Sequence, residues 1–415
     1  MKAHYDVIVL GGGPAGLAAA IGARKNGAEV LLIEREERLG GILKQCIHDG
    51  FGIVNFGERL TGPEYAARYL SEFLASGADY LTLAFVTSVQ KEEEGFSLLM
   101  QTAGGMMTTG CRSLVLACGC RERTSRQVFI HGDRPAGIFT AGTAQYYVNI
   151  MGRLPTRRCV ILGSGDIGLI MARRLTLEGA HVLGVWEIKS EPSGLARNVA
   201  QCLDDFDIPL HLSGTVTKVF GRSRVEGVEV CRVDEAMRPI PDTAQRVDCD
   251  ALILSVGLLP ENEIAESLGV AIDPSTGGPF ADQAYMTSVP GVFCCGNALF
   301  VHDLVDYVSR GAQNAGENAA AYRPGQERIL RQVEYDRDDF LYAVPQLTDA
   351  GAQRNMDLCF RSRADSRNTE VRIYSGEVEI KRKKYARLNP TEMELLALSL
   401  PDDAAGIRIK MERLK

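Results

Sequence analysis

Tyr5–Glu34 read YDVIVLGGGPAGLAAAIGARKNGAEVLLIE. The apolar run Asp6–Leu10 predicts a strand that ends in Gly11, Gly13 and Gly16, the spacing G-x-G-x-x-G. Small residues from Gly16 to Asn26 predict a helix. A second apolar run, Ala28–Ile33, predicts a parallel strand closing in Glu34, which stands 18 residues beyond Gly16. In such a βαβ unit the glycine loop takes a dinucleotide pyrophosphate and the acid reaches a ribose. Gly11 lets the chain turn off the strand, Gly13 lets a phosphate approach a backbone with no Cβ, and Gly16 lets the helix lie close on the strand. The helix start adds free N–H groups and a positive dipole end.

Further along, the pattern repeats. Cys159–Leu162 is apolar, Gly163, Gly165 and Gly168 restore the glycine spacing, Leu169–Glu178 predicts a helix, and His181–Trp186 a strand ending at Glu187. Two complete fingerprints in one chain are far more specific than one. The chain, 415 residues long, has room for two or three domains. A net charge of −7 argues against nucleic acid as the main partner. No apolar run approaches the ~18 residues of a membrane span, and the first strand begins too early to leave room for a signal peptide. Eleven cysteines without a paired framework fit a reducing cytoplasm, and no metal site is expected.

Between and after the fingerprints, Leu39-Gly40-Gly41 opens a glycine-rich loop, Ile42 to Gly52, that is too apolar for a solvated linker. Pro63–Ser76 predicts an amphipathic helix. Tyr80–Met107 predicts short strands broken near Glu92–Gly95 and at Gly104-Gly105, and Ser113–Gly119 a buried strand. Pro135-Ala136-Gly137 is expected to mark a crossing between domains. Thr140–Ile150 can form a helix. Asp250–Gly257 is a further buried strand, and Thr287–Asn297 a turn and strand ending in Gly296-Asn297. A helix is expected from His302 towards Ala321, with Asp303 as a possible cap. Past Pro324-Gly325, Val371, Ile373, Val378 and Ile380 alternate about Ser375-Gly376, and Ile407, Ile409 and Met411 alternate again, which predicts a small β domain. Lys381–Lys384 reads as its solvated edge.

The order of these signals, with SLVLACG (Ser113–Gly119), VGLLPEN (Val256–Asn262) and VPGVFCCGN (Val289–Asn297), resembles the two-dinucleotide-binding-domain flavoproteins, the pyridine nucleotide–disulfide oxidoreductases, over about residues 4–322. Within them it is most similar to the FAD/NAD subunits of opine-, sarcosine- and hydroxyproline-oxidising complexes and to proteins associated with glycerol-3-phosphate dehydrogenase-like flavoproteins. The resemblance implies an α/β fold: two Rossmann-like three-layer dinucleotide-binding domains plus a small C-terminal β domain. FAD would occupy residues 1–125 with 263–325, NAD(P) residues 126–262, and residues 326–415 would serve interaction or dimerisation. Gly11, Gly13 and Gly16, with Pro14 and Ala15, would hold the FAD pyrophosphate, and Glu34 the adenosine ribose. Arg35, Gly40, Gly41, Ala117, Gly119, Gly296 and Asn297 would complete that site, Asn297 at the flavin ribityl chain, where the family usually has Asp. Gly163, Gly165, Asp166, Ile167 and Gly168, with Glu187 and Gly257, would hold NAD(H).

The cysteines depart from the family pattern. Cys46 has no partner at a redox-disulfide spacing, Cys118 and Cys120 form a CxC, and Cys294-Cys295 are adjacent. The tail holds only Cys359, which cannot supply a four-cysteine iron–sulfur site. Cys46, His48 and His302 are the candidate catalytic residues; for Cys46 and His48 the alternative is loop packing. The expected function is an FAD-dependent oxidoreductase moving a hydride between NAD(H) and flavin and exchanging electrons with a second substrate or a partner flavoprotein dehydrogenase, without a redox-active disulfide. The alternative is a non-catalytic FAD-binding subunit that docks such a dehydrogenase. Homo-oligomers are compatible with either.

Overall fold

The computed structural model describes residues 2–401 and 406–414, so residues 1, 402–405 and 415 of the expected terminal domains lie outside the described residues. The chain packs as two compact units, Met1–Cys120 with Pro260–Lys415, and Arg121–Leu259.

In the first unit β1 (His4–Leu10) is buried on both faces, Ile8 and Leu10 in one core and Val7 and Val9 in the other. Two-sided burial is why its sequence is nearly all apolar. The helix α1 (Pro14–Lys25) crosses to β2 (Val30–Ile33), which pairs parallel with β1, Val7 opposite Val30. The helix α2 (Gly62–Ala75) starts at a capping box: the Glu64 amide donates to Thr61 Oγ1 and the Thr61 amide donates to the Glu64 carboxylate. It buries Tyr65 and Phe73 and leads to β3 (Asp79–Leu81) beside β2. The strands β4 (Phe85–Glu92), β5 (Gly95–Thr102) and β6 (Gly105–Leu116) form a meander broken at the two expected turns. Two expected pieces merge in β6. Its first half pairs antiparallel with β5, its second half parallel with β1, Leu114 opposite Ile8. The strand stops at Leu116, opposite Leu10, so Ala117 to Gly119 belong to the loop facing Gly11.

In the second unit β7 (Ile138–Thr140), α3 (Ala141–Asn149), β8 (Arg158–Leu162), α4 (Asp166–Leu177), β9 (His181–Trp186), β10 (Leu210–His211) and β11 (Ala251–Leu254) form a parallel sheet, order β7-β11-β8-β9-β10, with helices on one face. A four-stranded sheet from His131–Gly132, Gly214–Phe220, Gly227–Arg232 and Gln245–Val247 covers the other face, packing Val216, Val219 and Val228 against Leu162, Trp186 and Leu254. Pro135–Gly137 lies inside this unit, not at a crossing. His131–Gly132 already pairs with Lys218–Val219 there, and the chain enters at Arg121 and leaves at Leu259.

Returning to the first unit, β12 (Val292–Cys294) pairs parallel with the end of β6, and α5 (Val305–Ala321) packs on α1. The contact is backbone on backbone: a Cβ on Gly316 would stand 1.9 Å from the Ala19 carbonyl oxygen. The tail is a two-layer β domain. One sheet is β13 (Phe340–Val344), β14 (Asn355–Ser362) and β17 (Glu394–Ser399). The other joins β15 (Ser366–Ser375), β16 (Val378–Leu388) and β18 (Ile407–Arg413) with Glu334–Tyr335. On β14, Met356, Leu358 and Phe360 point between the sheets, while Cys359 packs into the core shared with β1 and β6. Lys381–Lys384 are exposed on β16, the edge strand, as read from the sequence. Arg328 fastens the tail: it pairs with the buried Asp282 at 2.6 Å and Asp349 at 3.3 Å, and donates to the Thr287 carbonyl at 2.7 Å. Among the described residues no helix is long and apolar enough to cross a membrane.

Candidate functional site

The two glycine loops are built alike. Gly11 has φ +105°, and a Cβ there would stand 2.4 Å from the Ala117 carbonyl oxygen; at Gly16 it would stand 1.7 Å from the Gly11 carbonyl oxygen. At Gly13 the nearest atom is the Gly41 Cα at 3.8 Å. The first and third glycines are therefore required by the chain's own packing, and the middle one opens onto free space. In the second loop Gly163 and Gly168 are closed by the Ser255 and Gly163 carbonyls at 2.0 and 2.4 Å, while Gly165 meets nothing nearer than 3.7 Å. Neither α1 nor α4 has a side-chain cap, so their first amides stay available to an anion.

Each closing acid is tied to its own loop. Buried Glu34 accepts from the Gly12 amide at 2.6 Å through Oε2 and from the Glu36 amide at 2.8 Å through Oε1. Buried Glu187 accepts from the Ser164 amide at 3.0 Å and hydroxyl at 2.5 Å, and from the Lys189 amide at 3.1 Å. Gly12 and Ser164 are not singled out by the sequence because they fill the variable positions of the fingerprint.

Around the first loop the structure gathers Pro14, Ala15, Gly40, Gly41, Ala117 and Gly296. A Cβ on Gly41 would press to 2.8 Å from the Gly13 Cα, and one on Gly296 to 2.6 Å from the Ala15 Cβ. Gly119 accepts from the Glu261 amide at 3.0 Å. Arg35 is exposed and pairs with Glu261 at 3.3 Å. Around the second loop Asp166 Oδ1 accepts from the Leu195 amide at 2.9 Å and Asn198 Nδ2 at 2.7 Å, which seats the 193–198 segment on the start of α4. Ile167 packs into the helical core of this unit, and Gly257 is exposed with φ +98°.

Of the three candidate catalytic residues, Cys46 and His48 lie in the loop after Gly41 and His302 in the turn after Asn297. Cys46 is buried and its thiol donates to the Ile42 carbonyl at 3.4 Å; burial pushes it up to about 12. His48 is half-buried, its ring 5.1 Å from that of Phe51. His302 lies beside Asn297: the Asn297 Oδ1 accepts from the His302 amide at 3.1 Å, and burial pulls the imidazole down to about 4. Asp306, which in the sequence alone is an ordinary first-turn acid, is fully enclosed and accepts from the Gly52 and Asn55 amides at 3.1 and 2.8 Å. It ties the glycine-rich loop to the start of α5.

The model of the pyridine nucleotide-disulphide oxidoreductase family matches residues 5–319. The opine oxidase A-subunit of Rhizobium meliloti is 26% identical over 364 residues, covering 83% of this chain and 77% of that protein. The HcnB subunit of the Pseudomonas aeruginosa hydrogen cyanide synthase is 24% identical, covering 71% of this chain and 64% of that one. The chain thus spans under two thirds of the length of some curated relatives. Among solved structures, thioredoxin reductase of T. acidophilum superposes with a TM-score of 0.62 at 19% identity, covering 77% of this chain and 99% of that one, a likeness of fold. Two glycine loops each closed by a buried acid, on two parallel-sheet units, agree with the family match: the chain belongs to the pyridine nucleotide-disulphide oxidoreductase family, the FAD-dependent NAD(P)H oxidoreductases.

Proposed function

We propose that the first unit binds FAD and the second NAD(H), and that the chain passes electrons between NAD(H) and a partner dehydrogenase or second substrate without a redox-active disulfide. The observation that carries this reading is the pairing of two anion-ready glycine loops with a cysteine set lacking any dithiol spacing. Gly13 and Gly41 leave a Cβ-free cradle in front of α1, which fits a pyrophosphate. FAD supplies two-electron chemistry when bound. This chain's residues bind and orient: the α1 amides hold phosphate, Glu34 fixes the loop and offers its carboxylate to a ribose, and the start of α5 presents a positive dipole end. Glu187 offers the same carboxylate in the second unit, which favours a ribose 2′-hydroxyl over a 2′-phosphate and so NADH over NADPH.

The names of the relatives support a partner. The similar chains of opine oxidase, hydrogen cyanide synthase and sarcosine oxidase are each named as one subunit of their enzyme. A cytoplasmic location accords with eleven free thiols. Anaerobic reduction of the bound flavin by NADH, in the chain alone and with co-purified partners, tests the proposal. Reduction in the isolated chain separates an electron carrier from a subunit that merely holds FAD.

A further inference from the structure

The turn from Asn297 to Asp303 is held by its own chain on one side and by the tail on the other. Asn297 Oδ1 accepts from the His302 amide at 3.1 Å. His302 Nδ1 lies 2.8 Å from the Phe300 carbonyl oxygen, which can only accept, so Nδ1 carries the proton. The His302 and Phe300 rings lie 3.9 Å apart, centroid to centroid, and Phe300 in turn meets Tyr342 of β13 at 5.9 Å.

Asp303 does not cap α5, which starts at Val305 behind Leu304 with no side-chain cap. Its carboxylate turns to the tail instead. Oδ1 accepts from Arg361 Nη2 at 2.5 Å and Oδ2 from the Met393 amide at 2.6 Å. Arg361 is mostly buried, and its other nitrogens are committed as well: Nε donates to the Tyr342 hydroxyl and Nη1 to the Pro390 carbonyl, each at 3.1 Å. A planar guanidinium with all three nitrogens engaged has little freedom to follow a moving partner. About one and a half turns along α5, Arg310 pairs with Asp357 at 2.5 Å. Asp357 and Arg361 stand four residues apart on one face of β14, so a single strand grips the start of α5 at two points.

We infer that Arg361 is a positioning residue: through Asp303 it fixes the Asn297 turn and the start of α5, so that the tail sets FAD affinity and flavin reduction potential. The inference rests on the reading that this turn and α5 face the flavin. The physical reason is range. A helix end acts on a charge only within its first turn, so a small displacement of α5 changes the field at a flavin placed there. With a flavin bound at this turn, losing Arg361 would also leave the Asp303 carboxylate unneutralised near it, which would disfavour a reduction that adds negative charge.

The test uses the full-length chain with Arg361→Met, Asp303→Asn, the double variant and Asn297→Ala. Three quantities are read in each: the FAD dissociation constant, the flavin midpoint potential, and amide hydrogen exchange over residues 297–306 in the flavin-free protein. Each clamp variant should exchange faster there and bind FAD about tenfold more weakly, the scale of one charge-assisted hydrogen bond. Arg361→Met should shift the potential negative, and the double variant should be no worse than the poorer single. Should Arg361→Met not fold, Asp303→Asn carries the test, since its side chain is 35% exposed. Folded clamp variants with wild-type affinity, potential and exchange would overturn the inference. Fast exchange in the clamp variants together with unchanged FAD binding in both those and Asn297→Ala would instead remove the turn from the flavin site, and the tuning role with it.

Discussion

The Glu34 carboxylate accepts a 2.6 Å hydrogen bond from the Gly12 amide, so the acid expected to meet a ribose also braces the loop in front of it. Glu34→Ala would leave the buried Gly12 amide and the part-buried Glu36 amide without that acceptor. The expected outcome is a loss of about 1–3 kcal/mol in stability and FAD that washes out on gel filtration. Urea unfolding and the flavin-to-protein absorbance ratio check both. A variant that keeps full flavin and wild-type stability removes Glu34 from the site.

Glu187 gives the second unit its cofactor preference. The wild-type protein should be reduced faster by NADH than by NADPH, and Glu187→Gln should narrow the gap by about tenfold, because it removes the charge that repels a 2′-phosphate. Folding should lose about 1–3 kcal/mol as well, since the glutamine oxygen can still accept from Ser164 but its amide nitrogen cannot accept from the Lys189 amide. Stopped-flow rates with the two nucleotides decide this, and equal wild-type rates would contradict it.

Arg328 is expected to be structurally indispensable. Arg328→Met leaves two buried carboxylates, Asp282 and Asp349, without their cation. Breaking such a pair from one side costs about 3–5 kcal/mol, read as a lower urea midpoint. A chain ending at Gly325 loses this residue and uncovers core around Leu299 and Phe300, so it should aggregate rather than persist as a free flavoprotein. A soluble, flavin-loaded chain ending there would show that the tail is an independent appendage.

The acid limb of stability should carry a contribution from His302. Burial lowers its imidazole from 6.5 to about 4. That contribution is therefore fully present above pH 6.5 and is lost as pH falls towards 4. In urea unfolding between pH 7 and 4, the wild-type protein should lose stability more steeply than His302→Gln. Parallel slopes would mean that the ring is already charged or solvated in the folded state.

The glycine loops were legible because their signal is local. Gly11 and Gly16 are excluded from other residues by atoms within a few positions or in the adjacent β6 loop, and the apolar runs flanking them are buried on both faces. The hairpin about Ser375-Gly376 was legible for the same reason, since strict alternation reports a half-buried sheet. What stayed hidden depends on contacts distant in sequence. Asp303 looks like a helix cap until Arg361, 58 residues on, arrives to take its charge. Arg328 looks like a surface charge in a linker until Asp282 and Asp349 enclose it. The merging of two expected strands into β6 was likewise invisible, because one strand changes partner midway from β5 to β1.

The most direct measurement is an anaerobic titration of the purified, flavin-loaded chain with NADH, followed by absorbance. With a cysteine set lacking any dithiol spacing, one equivalent of NADH should bleach the flavin completely, because the cofactor alone accepts two electrons. Consumption of a second equivalent with a long-wavelength thiolate–flavin band would contradict the account by revealing a redox-active pair of thiols. A flavin that stays oxidised would contradict it differently, leaving a subunit that binds FAD without passing electrons from NADH.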